Sequence, residues 1–447
     1  MSEPKREEVL LISYKKSPYT ADTRRGGDKP AGGVPSPNRK QKRKKPKKPY
    51  HKLRVAAVLL GVFFLLECLY CFVVFTNNPT IRSLREAYIE TAMSTMSHHW
   101  LAEWFFPDYM IDNVVSRMEN AKKEQIGIVS KWEGEGAETP AKPSENAAQE
   151  KAQAEKQAFF ELFWELDRAT FEEYLSSHPE VLSDGWNSIY INESGLDDEG
   201  TSIYTTMGEQ VLAIDAKNKI LIVRVQGSGF IGALAIAKDP SQLSLAPSAY
   251  IGSVGQQLEA IAEENQALLA MTGSGFMDPE GNGSGGELAG YTMCQGVSYG
   301  EHFSSGYKRI ELHEDNLLYV TDAHQPVSKG TTDAVEFSPA LIVDGKALVD
   351  EYSGWYAINP RACIGQSKKK EILMLVIEGR MVGRSLGCEL AACVEILQRH
   401  DCYQAMNLDG GTSAVMWYDG QYVTKCSNTS ISSRLLPNAW IYGERKS

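Results

Sequence analysis

The apolar positions of this chain fall into three regimes. The first is an unbroken run, Val55–Phe75 (VAAVLLGVFFLLECLYCFVVF), 21 residues with Glu67 as the single charge. About 20 apolar residues at 1.5 Å each cross a hydrocarbon core of roughly 30 Å, so the run predicts a transmembrane helix. A cleavable signal sequence fits less well, because the run is long, begins 54 residues in, and is not followed by a small-x-small site. The second regime has helical spacing: Ile81–Phe106, with Leu84, Tyr88, Ala92 and Met96 on one stripe, and a shorter stretch around Phe159–His178. The third begins at Gly185 and alternates like strands: SIYI, QVLAIDAKNKILIVRVQ with a turn at Ala216–Asn218, and IGALAIAKDPSQLSLAP. VGQQLEAIAEENQALLAMTG reads as a helix leading into a strand. Then come VEFSPALIVDG, EILMLVIEGR, a helix in GCELAACVEILQRH, and YQAMNLDGG. This mixture predicts an α/β or α+β fold, a single mixed-sheet domain of catalytic type.

Charge divides the chain at the apolar run. Residues 1–54 hold 17 Lys and Arg against 5 Asp and Glu, a net of +12 in a chain whose total is −11, so the rest carries −23. Ten of those basic residues lie between Arg39 and Arg54. The positive-inside preference then leaves the first 54 residues in the cytoplasm and the remainder outside. The abrupt stop of the basic segment at a membrane span argues against a nucleic-acid partner. The expected organisation is a basic disordered tail (1–54), a transmembrane helix (55–75), an extracytoplasmic helical stalk and linker (76–178) and the catalytic-type domain (179–447). Glu133–Lys156, rich in Ala, Glu, Lys and Pro, suits a flexible spacer in that stalk. The stalk's patchy periodicity and its Pro-containing break do not favour a long coiled coil between chains, and no oligomeric state is specified.

Cysteine and histidine offer little chemistry. Cys68 and Cys71 fall in the apolar run; Cys294, Cys363, Cys388, Cys393, Cys402 and Cys426 follow it without zinc-type spacing. An even number outside a membrane permits disulfides, and small buried hydrophobes are an equal reading. His98 and His99, adjacent on a helix, point about 100° apart and do not chelate together, so a membrane-proximal aromatic collar with the following WLAEWFF, or a packing face, fits better.

The candidate chemistry sits at strand ends. Thr272–Gly290 holds seven glycines, and its DPEGNGSGG is reminiscent of a calcium loop through Asp278, Glu280, Asn282 and Ser284. It lacks the spacing and terminal Glu of the EF-hand, so bound calcium is the minor reading and no cofactor is expected. NPRACIGQ places Arg361 before a strand; VIEGR delivers Glu378 and Arg380 to the end of one; NLDGGTSAVMW sets Asn407, Asp409, Gly410 and Gly411 at a strand tip. Arg434 precedes the last strand in ISSRLLPNAWIYG. Two carboxylates, Asp409 and Glu378, with three guanidinia suit an anionic substrate whose bond breaking needs acid–base help.

In the order GFMDPEGNGSGG, NPRACIGQ, VIEGR, GCELAACVEIL, NLDGGTSAVMW and SSRLLPNAWIYG, the chain resembles the phosphodiester glycosidase family over roughly Gly185–Gly443, most strongly over Asn359–Gly443. It departs from that family at Met277, where a second aromatic is usual, at Glu378 in place of Asp, and at Thr412 in place of Gly. The resemblance implies hydrolysis of a sugar-1-phosphate diester at the anomeric C–O bond, in a surface or exported glycan. Under it, Arg361, Arg380 and Arg434 with Asn407 bind substrate, and Gly273, Gly275, Gly410 and Gly411 let loops approach it. Asp409 and Glu378 position water or stabilise the sugar cation. The alternative is a cell-surface glycan-binding or scaffold protein that keeps the fold without catalysis.

Overall fold

A computed structural model describes residues 50–95, 98–132, 148–278, 283–303, 306–350 and 355–444. The basic tail up to residue 49, most of the expected spacer (133–147), and Glu280 and Asn282 of the calcium-like loop lie outside the described residues. The chain forms two compact units, residues 1–66 and 67–447.

Helix α1 runs Tyr50–Phe75. Leu53–Phe75 within it is long and apolar enough to cross a membrane, and almost all of its side chains are exposed, as a lipid-facing helix requires. Helix α2 (Pro79–Met93) starts where Asn78 accepts from Thr80 N at 3.1 Å and Ile81 N at 3.3 Å, with Pro79 at its first position. The single helix expected over 81–106 breaks after Met93. Thr91, Ser94 and Thr95 turn their hydroxyls onto the carbonyls of Ala87, Thr91 and Ala92, competing with helix continuation. Helix α3 (Trp100–Glu103) resumes it, and α4 (Asp108–Glu124) follows. The expected apolar stripe is buried only in part: Ala92 packs with Ile89 against Ala102, Ile111 and Val114, whereas Leu84 and Tyr88 are exposed, and Met96 lies outside the described residues.

Helices α5 (Ala148–Leu162) and α6 (Arg168–Ser177) lead into the sheets, and α7 (Leu258–Glu264) and α8 (Leu390–Arg399) lie among the strands. The central sheet has nine strands in the order Tyr190–Asn192, Gln210–Asp215, Ile220–Gly227, Phe230–Ala237, Ile372–Ile377, Arg361–Ser367, Cys402–Asn407, Ala340–Val343 and Lys346–Ala347. A second sheet orders Leu318–Asp322, Lys308–His313, Thr331–Phe337, Thr292–Cys294 and Val297–Tyr299; a third orders Gln421–Tyr422, Met416–Tyr418, Leu269–Thr272, Asn438–Tyr442 and Leu243–Pro247. The pairings within these strands are antiparallel, which selects α+β from the two expected classes.

Alternation along the strands divides the core into layers. Leu221, Val223 and Val225 face helices α5, α6 and α8, while Ile220 and Ile222 face the two smaller sheets. Both faces of the central sheet are therefore dry, which is why its strands read as nearly continuous apolar runs.

Described parts of the segment expected as a stalk pack into this body. Phe159, Phe160, Phe163 and Phe171 are buried in the helix-side core and pack with Trp186. Burying each such ring stabilises by about 1.5–3 kcal/mol, which a solvated stalk would forgo. Farther upstream, Gln125 brackets Ala340, its Nε2 donating to the carbonyl at 3.1 Å and its Oε1 accepting from the amide at 3.0 Å. Ser130 N donates to Val320 O at 2.9 Å, so residues 125–132 run along the second sheet. Of the two readings of the six downstream cysteines, the structure takes the packing one: all are buried thiols.

Candidate active site

Three central strands end at one edge of the sheet. Antiparallel register sets Arg361 opposite Ile377 and Cys363 opposite Asn407, so the start of one strand and the ends of two others bring Arg361, Glu378–Arg380 and Asn407–Asp409 together. Over that edge lies a cleft of about 1180 Å³. Its floor holds Arg361, Asn407, Asp409, Gly410 and Gly411; Arg380 and Arg434 line it; Phe276 and Asp278 come from the loop after Leu269–Thr272. Glu90, Met93–Thr95, His98 and His99, with Met118 of α4, form another wall.

Asp409 keeps part of its surface open to the cleft yet sits deep among protein atoms. Burial raises its carboxyl to about 6, against the opposing pull of the Ser413 hydroxyl and the Arg434 and Arg380 guanidinia. The guanidinia are held by the protein. Arg361 Nε donates to Cys388 O at 3.1 Å, and its Nη2 to Ala357 O. Arg380 Nη2 donates to Asn359 Oδ1 at 3.0 Å, with its own backbone at φ +61°, a strained region for a side-chain-bearing residue. Arg434 pairs with Asp278 at 2.8 Å and lies over the Phe276 ring at 4.2 Å. Burial, and then the like charge of Arg361, lower the Arg380 pKa, while Asp409 raises it. Three cations converging on so few carboxylates make a site for an anion.

Two expectations are corrected here. Glu378 does not line the cleft: its carboxylate accepts from Arg384 Nε at 2.5 Å and Nη2 at 2.9 Å, and from Lys425 N at 2.9 Å. One residue past the strand, it turns from the arginines to clamp the loop that carries Arg380, with Ser385 Oγ donating to its carbonyl. Glu378→Gln is therefore expected to cost about 3 kcal/mol of stability in a urea melt, the scale of a broken buried pair. Its kcat should stay within about threefold while KM rises, and a 1000-fold fall in kcat would restore a catalytic role. Gly273 and Gly275 also serve packing rather than ligand approach. A Cβ there would meet Asn438 Oδ1 at 2.1 Å and the Phe337 ring at 2.9 Å.

Gly411 does belong to the site, and its geometry requires glycine. It has φ +60°, and a Cβ would stand 3.2 Å from Arg380 Nη2. Gly411→Ala is expected to cost about 1 kcal/mol from backbone strain and to raise KM by displacing Arg380; steady-state kinetics checks it.

The sequence reading missed the wall formed by α2 and its C-terminal loop. Glu90 is buried, with Oε1 accepting from Ala357 N at 3.0 Å and Oε2 lying 3.6 Å from Arg117 Nη2. Burial raises its carboxyl, against the Ala357 and Tyr356 amides and Arg117. His98 and His99, expected in a collar or packing face, line the same wall. Asp278 of the calcium-like loop accepts from Gly283 N at 3.0 Å and holds Arg434. Among the described residues no cluster of three His, Cys, Asp or Glu side chains is arranged to hold a metal ion.

The antiparallel α+β body thus carries a cleft lined by three arginines, with the Asp409 carboxylate in its floor. Residues 265–442 match the sequence profile of the phosphodiester glycosidase family. The match is shorter than the Gly185–Gly443 span of the resemblance and includes Asn407, Asp409 and all three arginines. Among solved structures, the chain is similar to the catalytic domain of zebrafish N-acetylglucosamine-1-phosphodiester alpha-N-acetylglucosaminidase, auto-inhibited by its pro-peptide (16% identity, TM-score 0.41, 51% of this chain and 82% of that one). It is also similar to a hypothetical protein from Synechocystis (14%, TM-score 0.37, 52% and 63%) and a putative exported protein from Burkholderia pseudomallei (13%, TM-score 0.38, 48% and 74%). None of the curated proteins matches it.

Proposed function

We propose that this chain is a membrane-anchored hydrolase that cleaves a sugar-1-phosphate diester of a surface or exported glycan, with its N-terminus cytoplasmic and its cleft extracytoplasmic. The observation that carries the reading is Asp409, a carboxylate with its pKa raised to about 6 among the Arg380 and Arg434 guanidinia. A base with a pKa near the working pH is the kind that activates water.

In this mechanism the guanidinia of Arg361, Arg380 and Arg434 hold the phosphate of the diester. The C1–O bond breaks with its electron pair leaving on the phosphate oxygen, where cationic clamping replaces the protonation an ordinary glycoside needs. Water attacks the electron-poor anomeric carbon and gives its proton to Asp409, so the products are a free sugar and a phosphate monoester. Asn407 Oδ1, buried and without a hydrogen-bond partner in the cleft floor, is an acceptor for a sugar hydroxyl.

The test is the full chain in detergent against a set of sugar-1-phosphate diesters, with and without chelator, reading released sugar. Turnover that falls about 100-fold in Arg361→Ala, the scale of two charge-assisted hydrogen bonds, supports the proposal. Binding of the diesters without release of sugar would overturn it in favour of the glycan-binding reading. Loss of turnover with chelator would establish a metal requirement.

A further inference from the structure

Several large apolar and aromatic side chains from α2 to the start of α4 are left outside the core. Leu84, Tyr88, Trp100, Trp104, Phe105 and Tyr109 are all exposed, Trp104 to 75% of its surface. The Trp100 and Trp104 rings stand 5.0 Å apart, and Tyr88 ties α2 to the same segment, contacting Phe106 at 5.7 Å and donating to Leu101 O at 3.4 Å. The end of the apolar helix is joined to the same face. Tyr70 of α1 donates to Phe105 O at 2.7 Å, and Arg85 of α2 donates to the carbonyls of Val73, Val74 and Thr76, which close α1. The rings thus lie level with the last turns of the helix long enough to span a membrane. Trp and Tyr concentrate at that level in membrane proteins, with the ring in the headgroup layer. Charge narrows the kind of contact: no Lys or Arg occurs between Arg85 and Arg117, and Glu103 and Asp108 stand among the rings. The attraction is apolar and does not depend on anionic lipid.

The segment that carries these rings also builds the cleft. His98 and His99 line its wall, and α3 begins at the next residue, Trp100. We infer that this aromatic face beds in the headgroup layer of the outer leaflet of the membrane that holds α1. The lip of the cleft then meets the bilayer surface, and the substrate is a sugar-1-phosphate diester whose acceptor is itself held in that bilayer. The substrate part rests on the hydrolase reading above; the bedding does not.

The experiment reconstitutes the full chain in phosphatidylcholine vesicles containing brominated lipid and compares it with Trp100→Ser/Trp104→Ser. Bedding gives the native chain a tryptophan component that bromine near the headgroups quenches, that persists in high salt, and that the double variant lacks. Hydrolysis of a vesicle-borne diester should fall about tenfold in the double variant, through lost positioning at the surface, with the soluble diester of the same sugar unaffected. A component open to aqueous acrylamide but not to brominated lipid overturns the bedding; so does one shielded from both, which would mean a protein partner or second copy. Equal loss on both substrates overturns the membrane-borne substrate. Failure of the anchor is separate, seen as release of the chain from vesicles by carbonate; failure of the hydrolase reading is turnover of neither diester, while quenching still decides the bedding.

Discussion

Asp409→Asn is expected to reduce kcat by roughly 1000-fold, within the range that a positioned general base supplies, while leaving KM for a sugar-1-phosphate diester nearly unchanged. The asparagine keeps the volume and can still orient a water, but it takes no proton. In the native protein kcat/KM should rise with pH through about 6, as the Asp409 carboxyl ionises, and the residual activity of the variant should lose that limb. Stability moves the other way. The folded-state pKa of Asp409 is raised above the ordinary value of 3.8 to about 6. The folded state therefore prefers the protonated acid: that stability is fully present below about pH 4 and is lost as pH rises through 6. A shift of this size is worth about 3 kcal/mol at most, so the variant should melt above the native chain at pH 7.5 and alongside it at pH 4. Thermal melts at both pH values, run beside the kinetics, check the two halves. A variant that is both less active and less stable at pH 7.5 would mean that the loss is structural.

The strands and their ends were legible because burial on both faces leaves long apolar runs that stop where the backbone turns polar. Arg361, Arg380, Asn407 and Asp409 each stand at such a stop, and antiparallel pairing gathers them at the cleft, which Arg434 reaches from the loop before the last strand. What a strand end does not reveal is the direction of the side chain. Glu378 and Arg380 are two residues apart, yet one grips Arg384 and the other lines the cleft, since positive φ at Arg380 redirects the chain. The second wall was not legible for a different reason. Glu90 on α2 acquires its meaning from Ala357, a partner 267 residues along the chain, and no local period encodes that distance. Polar composition also misled around α5, where residues 148–156 of the expected spacer already belong to the helix that carries Phe159 and Phe160 into the core.

Lys238→Ala should produce the largest loss of stability, about 3–5 kcal/mol, the cost of breaking a buried ion pair from one side. Its ammonium bridges Glu165 at 2.5 Å and Glu371 at 2.8 Å, with the three side chains exposed by 2%, 0% and 7%. Removing it strands two carboxylates in a dry layer, where burial already raises the Glu165 carboxyl and Lys238 is the first of the groups that lower Glu371. The position also explains how the helical segment stays on the sheet. Glu165 follows α5, Glu371 precedes the strand Ile372–Ile377, and Trp164 Nε1 donates to Glu371 at 3.1 Å. A lysine just past the strand Phe230–Ala237 therefore fastens residues before 179 to strands beyond 230. Chemical denaturation of Lys238→Ala should give a lower midpoint, and acidification should recover part of the loss by neutralising the stranded carboxylates. The same contacts predict the fate of a chain cut at residue 179. It would keep Lys238 and Glu371 but lose Glu165 and the buried Phe159, Phe160, Phe163 and Phe171, and should accumulate insoluble, whereas one beginning at Pro79 should remain folded. A soluble, cooperatively melting 179–447 fragment would mean that the helical segment only rests on a domain complete without it.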